Sequence, residues 1–312
     1  MRIAFFNPAI SLLLRTKDAP SVKPEDKGVD DKPDQSVVSS MIRKRGEFLF
    51  VPNRRVYSTP EECGIKKENY DDVEIKTPDG ETLKGFFIKA PNKDTRKTII
   101  FFNGQGGNAS ECLKEIKRIH DKVPANILIV DYRGFGKSSL KSGSITEEDL
   151  ITDGKAMYDY LIKCGYKPED ISFFGVSLGG GIATAVAREK DVDMLFIQSS
   201  FTTTSSVAGE QVDKYNPFSG GWGKAIKTVA KVATYSKFNS LWNIEYVKAK
   251  KVIVCHGNKD SYIPCSHGQQ LFEKVKVKDK QWFELEGSGH SNFLDFYTDE
   301  IYDTVNKHLG LK

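Results

Sequence analysis

An apolar run that stops at a glycine-flanked serine constrains this chain more than any other feature. Residues 171–176 read Ile-Ser-Phe-Phe-Gly-Val. Ser177-Leu178-Gly179-Gly180-Gly181 follows, and then the small-residue stretch Ile182-Ala183-Thr184-Ala185-Val186-Ala187. Gly-x-Ser-x-Gly between a strand and a helix predicts a turn so tight that the positions two before and two after the serine have no room for a Cβ. Gly175 and Gly179 meet that demand. The turn would lift the Ser177 hydroxyl above the strand ends, with the first N–H groups of the following helix aimed at the same place. By itself the motif also occurs as a plain serine turn, so the surrounding pattern has to decide.

That pattern alternates. Residues 72–76 switch between polar and apolar as a half-buried strand does, Pro78-Asp79-Gly80 is a turn, and 83–88 return as a hairpin partner. From residue 98 the strands become continuous apolar runs: 98–102, 127–130, 171–176, 194–197, 252–255 and 282–285. Such runs are expected where both faces of a sheet are covered. Helical spacing lies between them at 112–123, 147–164, 182–187 and 268–275, and a closing helix is expected over 292–309. Short links between alternating strands and helices predict an α/β architecture, a mostly parallel sheet covered on both faces. A chain of 312 residues has room for one such domain, read here as 41–312. A candidate strand over 47–51 opens it, and an insertion at about 205–246 interrupts the rhythm. Ahead of it lie an apolar segment at 3–14 and a polar linker reaching residue 40.

In sheets of this kind ligands bind beyond the carboxyl ends of the strands, so the residues just after each run are the candidates. Asn103-Gly104-Gln105-Gly106-Gly107-Asn108 follows the first buried strand, a loop whose backbone N–H groups could face a ligand. The N–H groups of Gln105 and Leu178 are the expected oxyanion donors. His256-Gly257-Asn258-Lys259-Asp260 and Glu286-Gly287-Ser288-Gly289-His290 follow two later strands. A serine hydroxyl is a poor nucleophile until an imidazole takes its proton and a carboxylate orients that imidazole. Ser177, Asp260 and His290 stand in the chain order that such sheets use. The plainer alternatives are a turn serine, and helix caps at Asp260 and His290. His256 reads as a structural strand-end residue, and His120, His267 and His308 in helical stretches receive no role.

Other chemistries fit poorly. No cluster has metal-ligand spacing. Gly134-Phe135-Gly136-Lys137-Ser138 lacks the first glycine of a phosphate loop, because Asp131 occupies that place. No cofactor is expected. A net charge of +4 spread along the chain argues against nucleic acid as a partner. The five cysteines are scattered with no C-x-x-C, which reads as reduced thiols in an intracellular protein. The segment 3–14 is too short to span a bilayer. It fits a segment packed on the body, a membrane-surface anchor or a signal sequence, so secretion stays open. Asn108-Ala109-Ser110 matches a glycosylation sequon inside the candidate site, where a sugar would obstruct it. Lys224, Lys227 and Lys231 share one helical face of 224–233. They form either a solvated face or a surface that meets anionic membrane. Nothing in the sequence sets an oligomeric state.

Taken together, these motifs resemble the α/β-hydrolase superfamily, and within it the small-capped serine hydrolases that include the depalmitoylating abhydrolase-domain proteins. The resemblance runs from about residue 72 to 309. It is carried by 103–108, by Asp131-Tyr132-Arg133-Gly134-Phe135-Gly136-Lys137-Ser138, by 175–180, by Ser199-Ser200-Phe201-Thr202, by 256–260 with Ile263-Pro264, and by Gly289-His290. It implies an α/β-hydrolase fold with a small helical cap, and a serine hydrolase acting on a carboxylic ester or thioester, with acyl chains on lipids or proteins among the candidate substrates. Peptide hydrolysis on the same residues, or a non-catalytic scaffold, are the alternatives. Asn103 stands where relatives usually carry histidine. The N-terminal cysteine cluster of the depalmitoylating members has no counterpart before Cys63.

Overall fold

The computed structural model describes residues 50, 52–141, 143–215 and 238–311. The expected apolar segment, linker and basic helix lie outside these residues, as does the candidate strand 47–51 apart from Phe50.

A hairpin opens the described fold. β1 (Tyr70–Lys76) pairs antiparallel with β2 (Thr82–Ile88), and β1 alternates buried and exposed residues because only one of its faces is covered. β2 then pairs antiparallel with β4 (Asn126–Val130). All further pairings are parallel, through β3 (Thr98–Phe102), β5 (Ile171–Val176), β6 (Val192–Gln198), β7 (Ala249–Gly257) and β8 (Asp279–Leu285). Among the described residues the sheet has eight strands in the order β1-β2-β4-β3-β5-β6-β7-β8. Every residue of β3, β4 and β6 is buried, the physical meaning of their unbroken apolar runs.

Two hydrophobic layers flank the sheet. On one face α1 (Leu113–Lys122) and α7 (Asp299–Leu309) bring Leu113, Ile116, Ile301 and Val305 against Ile99, Phe174 and Phe196. On the other, α2 (Glu147–Lys163), α3 (Leu178–Glu189) and α6 (Cys265–Lys274) bring Leu150, Met157, Ile182, Val186 and Leu271 against Ile100, Phe173 and Val254. α3 is rich in Gly and Ala because ten of its residues are buried between the sheet and α2. α2 begins where a capping box forms, with Thr146 accepting from the Asp149 N–H and Asp149 accepting from the Thr146 N–H. Between β6 and β7 the described part of the insertion holds α4 (Thr204–Tyr215) and the short α5 (Ser240–Asn243).

One expected helix is corrected. Residues 292–309 are not continuous: a 3-10 turn spans Phe293–Phe296, Tyr297 is extended, and α7 starts only after Thr298. The Tyr297 ring packs against Phe196 and Phe293, and its hydroxyl donates to Gln198 Oε1 at 2.7 Å. That anchorage to β6 breaks the helical path.

A buried ion cluster ties the hairpin to the body. The Arg133 guanidinium donates to Asp79, Asp149 and Asp153. Burial pushes Asp153 up to about 6 against the opposing pull of Arg133. All five cysteines carry free thiols. Among the described residues no helix is long and apolar enough to cross a membrane.

Candidate active site

The loops after β3, β5, β7 and β8 meet at the carboxyl ends of the parallel strands. Ser177 sits at the tip of the second, in the left-handed half of backbone space with φ 54° and ψ −116°. A non-glycine residue pays for that conformation, so its surroundings must impose it. They do so through three hydrogen bonds. The Ser177 N–H donates to Gln198 O at 2.9 Å, and its carbonyl accepts from Gly180 N–H at 3.0 Å and from Ser200 Oγ at 2.9 Å. A Cβ on Gly175 would lie 2.6 Å from Gly179 O, so the turn closes only with glycine there.

Ser177 precedes α3 as its N-cap, yet its side chain makes no capping bond. Its hydroxyl instead lies 3.1 Å from His290 Nε2, and His290 Nδ1 lies 2.7 Å from Asp260 Oδ2. Neither partner caps a helix. The N-cap position of α6 is held by Pro264 and that of α7 by Thr298. Asp260 Oδ1 accepts from the Tyr262 and Ile263 N–H groups at 2.9 and 2.8 Å, which fixes the carboxylate and leaves Oδ2 toward the imidazole. The three residues that the sequence placed on separate loops are thus brought together. The Asp260 side chain is fully buried, while His290 keeps 19% of its side-chain surface exposed.

The electrostatics favour an ionised acid. Burial pushes the Asp260 carboxyl up, but the close approach of the His256 ring N–H, the hydrogen bond and charge of His290 and the Ile263 amide outweigh it. The net is a carboxylate held well below the ordinary range. His256 has a larger part in this than a strand-end residue would. It is wholly buried, its Nε2–H donates to Ile263 O at 2.9 Å, and the same nitrogen stands 3.4 Å from Asp260 Oδ2.

Tyr262 is a further neighbour that sequence reasoning missed, its ring 5.1 Å from that of His290. Its carbonyl accepts from Gln211 Nε2 on α4 at 2.5 Å, and Lys214 Nζ donates to the adjacent Ser261 O at 2.9 Å. His267, given no role from its helical spacing, joins Glu210 of α4 at 3.0 Å to the Thr202 N–H at 3.1 Å. The insertion between β6 and β7 therefore rests directly on the loop that holds Asp260. Only the glycine and proline punctuation around 257–264 hinted at a built loop there.

The loop after β3 lies against the serine. A Cβ on Gly104 would fall 3.5 Å from Ser177 Cβ, and Gln105 follows it. Leu178 is the first residue of α3, a position whose N–H has no partner within the helix. Asn103, in the place of the usual histidine, spans the loop from within. Its Nδ2 donates to Gly104 O at 3.1 Å and Gly107 O at 2.9 Å. From behind, Tyr132 Oη donates to Asn103 O at 3.2 Å and Asp131 accepts from Ala109 N–H at 2.6 Å. Asn108 is 1% exposed and its Nδ2 donates to two carbonyls, so a glycan on it is incompatible with this arrangement.

With this geometry in view, four likenesses bear on the chain. The profile of the prolyl oligopeptidase family matches residues 127–294. Protein R595 of Acanthamoeba polyphaga mimivirus is 31% identical over 257 residues, covering 77% of this chain and 82% of that one. The α/β hydrolase domain-containing protein WAV2 of Arabidopsis thaliana is 26% identical over 215 residues, 68% of each chain. Among solved structures, an esterase of Pyrococcus furiosus superposes with a TM-score of 0.66 at 21% identity, covering 84% of this chain and 97% of that one.

Proposed function

Because the chain belongs to the prolyl oligopeptidase family of the α/β-hydrolase superfamily, we propose that this hydrolase cleaves carboxylic esters or thioesters through an acyl-enzyme on Ser177. The observation that carries the reading is the hydrogen-bonded line Ser177 Oγ–His290–Asp260, with contacts of 3.1 and 2.7 Å, on a serine held at φ 54°. The esterase named among the structural neighbours points to the same bond class.

His290 Nε2 takes the Ser177 proton as Oγ attacks the acyl carbon. Asp260 Oδ2, accepting from Nδ1–H, holds the tautomer that leaves Nε2 free to do so and stabilises the imidazolium that forms. The carbonyl oxygen gains the negative charge, and the N–H groups of Gln105 and Leu178 receive it. Collapse expels the alcohol or thiol, protonated from Nε2. A water then repeats the sequence on the acyl-enzyme with His290 again as base. It releases the acid and restores the Ser177 hydroxyl.

The test is a chain-length series of acyl esters and thioesters with fluorophosphonate labelling beside it. Ser177→Ala is expected to abolish labelling and to lower turnover by roughly 10⁶. Labelling that persists in that variant would refute the assignment, and absence of turnover in the unaltered protein would indicate a scaffold. Peptide hydrolysis by the same residues is a second reading, favoured by the description of the matching family. Faster cleavage of peptide anilides than of esters with the same acyl group would decide for it.

A further inference from the structure

The segment 52–57 lies about fifty residues before the loop that follows β3, yet it is hydrogen-bonded onto that loop. Asn53 Nδ2 donates to Gly106 O at 3.2 Å, on the residue next to Gln105. Asn108 Nδ2 returns two bonds, to Asn53 O at 3.1 Å and to Arg55 O at 2.8 Å. The Tyr57 N–H donates to Ser110 Oγ at 2.9 Å, and that hydroxyl donates to Asn108 Oδ1 at 2.7 Å. Gly136 N–H, from the turn after β4, also donates to Asn53 O at 2.8 Å. Asn108 is 1% exposed and Ser110 7%, so the loop-side partners are buried, while Asn53 and Gly106 are half-buried.

The consequence for the loop is geometric. Its inner side faces Ser177 across Gly104 and is held by Asn103. Its outer side carries the carbonyl of Gly106, in the peptide that follows the one bearing the Gln105 carbonyl and the Gly106 N–H, the two meeting at the Gly106 Cα. Glycine on both sides of Gln105 gives this stretch little stiffness of its own. A hydrogen bond to Gly106 O anchors the loop just past the expected oxyanion donor, whose own peptide is held through Gly104 O by Asn103, and the Asn108 amide holds Asn53 in place to make the outer bond.

We propose that Asn53 and Asn108 are positioning residues for the oxyanion loop, making the segment 52–57 a working part of the active site. The proposal rests on the hydrolase reading. A donor matters only where charge develops, so loosening it should be felt in the transition state and not in ground-state binding.

The experiment compares Asn53→Ala and Asn108→Ala with the unaltered chain in aryl-ester turnover. In parallel it measures the affinity of an aryl boronic acid, which forms a tetrahedral anion on a nucleophilic serine. Asn108→Asp is included because it keeps the acceptor used by Ser110 and removes both donations. Asn108→Ala and Asn108→Asp are expected to lower kcat by about 10–100-fold, and Asn53→Ala by about tenfold, with KM within about twofold. Boronate affinity should fall in step with kcat, with melting temperatures showing that each variant is folded. A merely structural contact would lower the melting temperature and leave kcat and boronate affinity within twofold in the folded fraction. That result overturns the proposal, as does a rise in KM alone. An unaltered protein that neither turns over esters nor labels at Ser177 overturns the hydrolase reading and this proposal with it. Full activity in all three variants overturns this proposal alone.

Discussion

Adding one methyl group at Gly179 is expected to damage the site far more than the fold. A Cβ there would fall 2.0 Å from Phe102 O, 2.4 Å from Phe102 C and 2.7 Å from Asn103 O. The first of these is about 1.4 Å short of the 3.4 Å at which ordinary contact begins. The obstructing atoms are backbone at the end of β3, so no rotamer change relieves them. The first turn of α3 and the loop beginning at Asn103 must separate by about 1 Å or more. These two elements carry Leu178 and Gln105, the proposed oxyanion donors. A misplacement of that size costs about 10²-fold in rate, so kcat for an aryl ester should fall about a hundredfold. Overpacking of this kind costs about 1–3 kcal/mol, which lowers the melting temperature by about 2–12 °C in a domain of this size. Gly154→Ala is the control. Its Cβ would meet Val186 Cγ2 at 2.9 Å and Phe102 Cε1 at 3.0 Å, side-chain atoms beneath the sheet's covered face. Part of that strain is offset by about 1 kcal/mol of helix propensity, and kcat should stay within twofold. Steady-state turnover at 25 °C with calorimetry on both variants checks the pair. A folded Gly179→Ala protein with unchanged kcat would refute the reasoning. So would a Gly154→Ala protein that loses as much kcat, since general loosening would then explain both.

Asp260→Asn should lower kcat about 10⁴-fold, because an amide no longer enforces the required imidazole tautomer; a loss under tenfold would remove Asp260 from its role. The same variant tests a pH effect. Asp260 is depressed below its ordinary value of 3.8, so the folded protein binds fewer protons there than the unfolded chain. Its stabilising contribution is complete above about pH 4 and is lost as the pH falls below that. Urea titrations between pH 5 and 2 should therefore show a shallower acid loss in Asp260→Asn than in the unaltered protein. Arg133→Met leaves Asp153 wholly buried without its cation, at a cost of about 3–5 kcal/mol. Its melting temperature should drop by about 6–20 °C with kcat within tenfold, and adding Asp153→Leu should recover much of the loss.

The fold was largely legible because apolar periodicity reports burial directly. β3 occupies the expected run 98–102, and α2 begins at Glu147, where the helical spacing was read to start. That Ser177, Asp260 and His290 would meet was legible for a related reason: each follows an apolar run at a strand end, where parallel α/β topology puts ligands. Less could be read where polar groups act across the chain. The closing helix was drawn seven residues too long, because nothing in its spacing reveals that Tyr297 is held by Gln198 on β6. His256 and His267 looked idle, since a buried histidine in a strand or helix has the same local pattern whatever it faces.

The division has a physical basis. Strand runs, helix faces and the glycines of the serine turn depend on steric and hydrophobic rules that act over a few residues, and these the amino-acid order determines by itself. Contacts of the Asn53 amide with Gly106, of Gln211 with Tyr262 and of Ser200 with the Ser177 carbonyl join residues separated by 53, 51 and 23 positions. A polar side chain on a loop carries no period that marks its partner. Only the assembled sheet, by bringing the ends of β3, β5, β6 and β7 side by side, decided which of those groups would meet around Ser177.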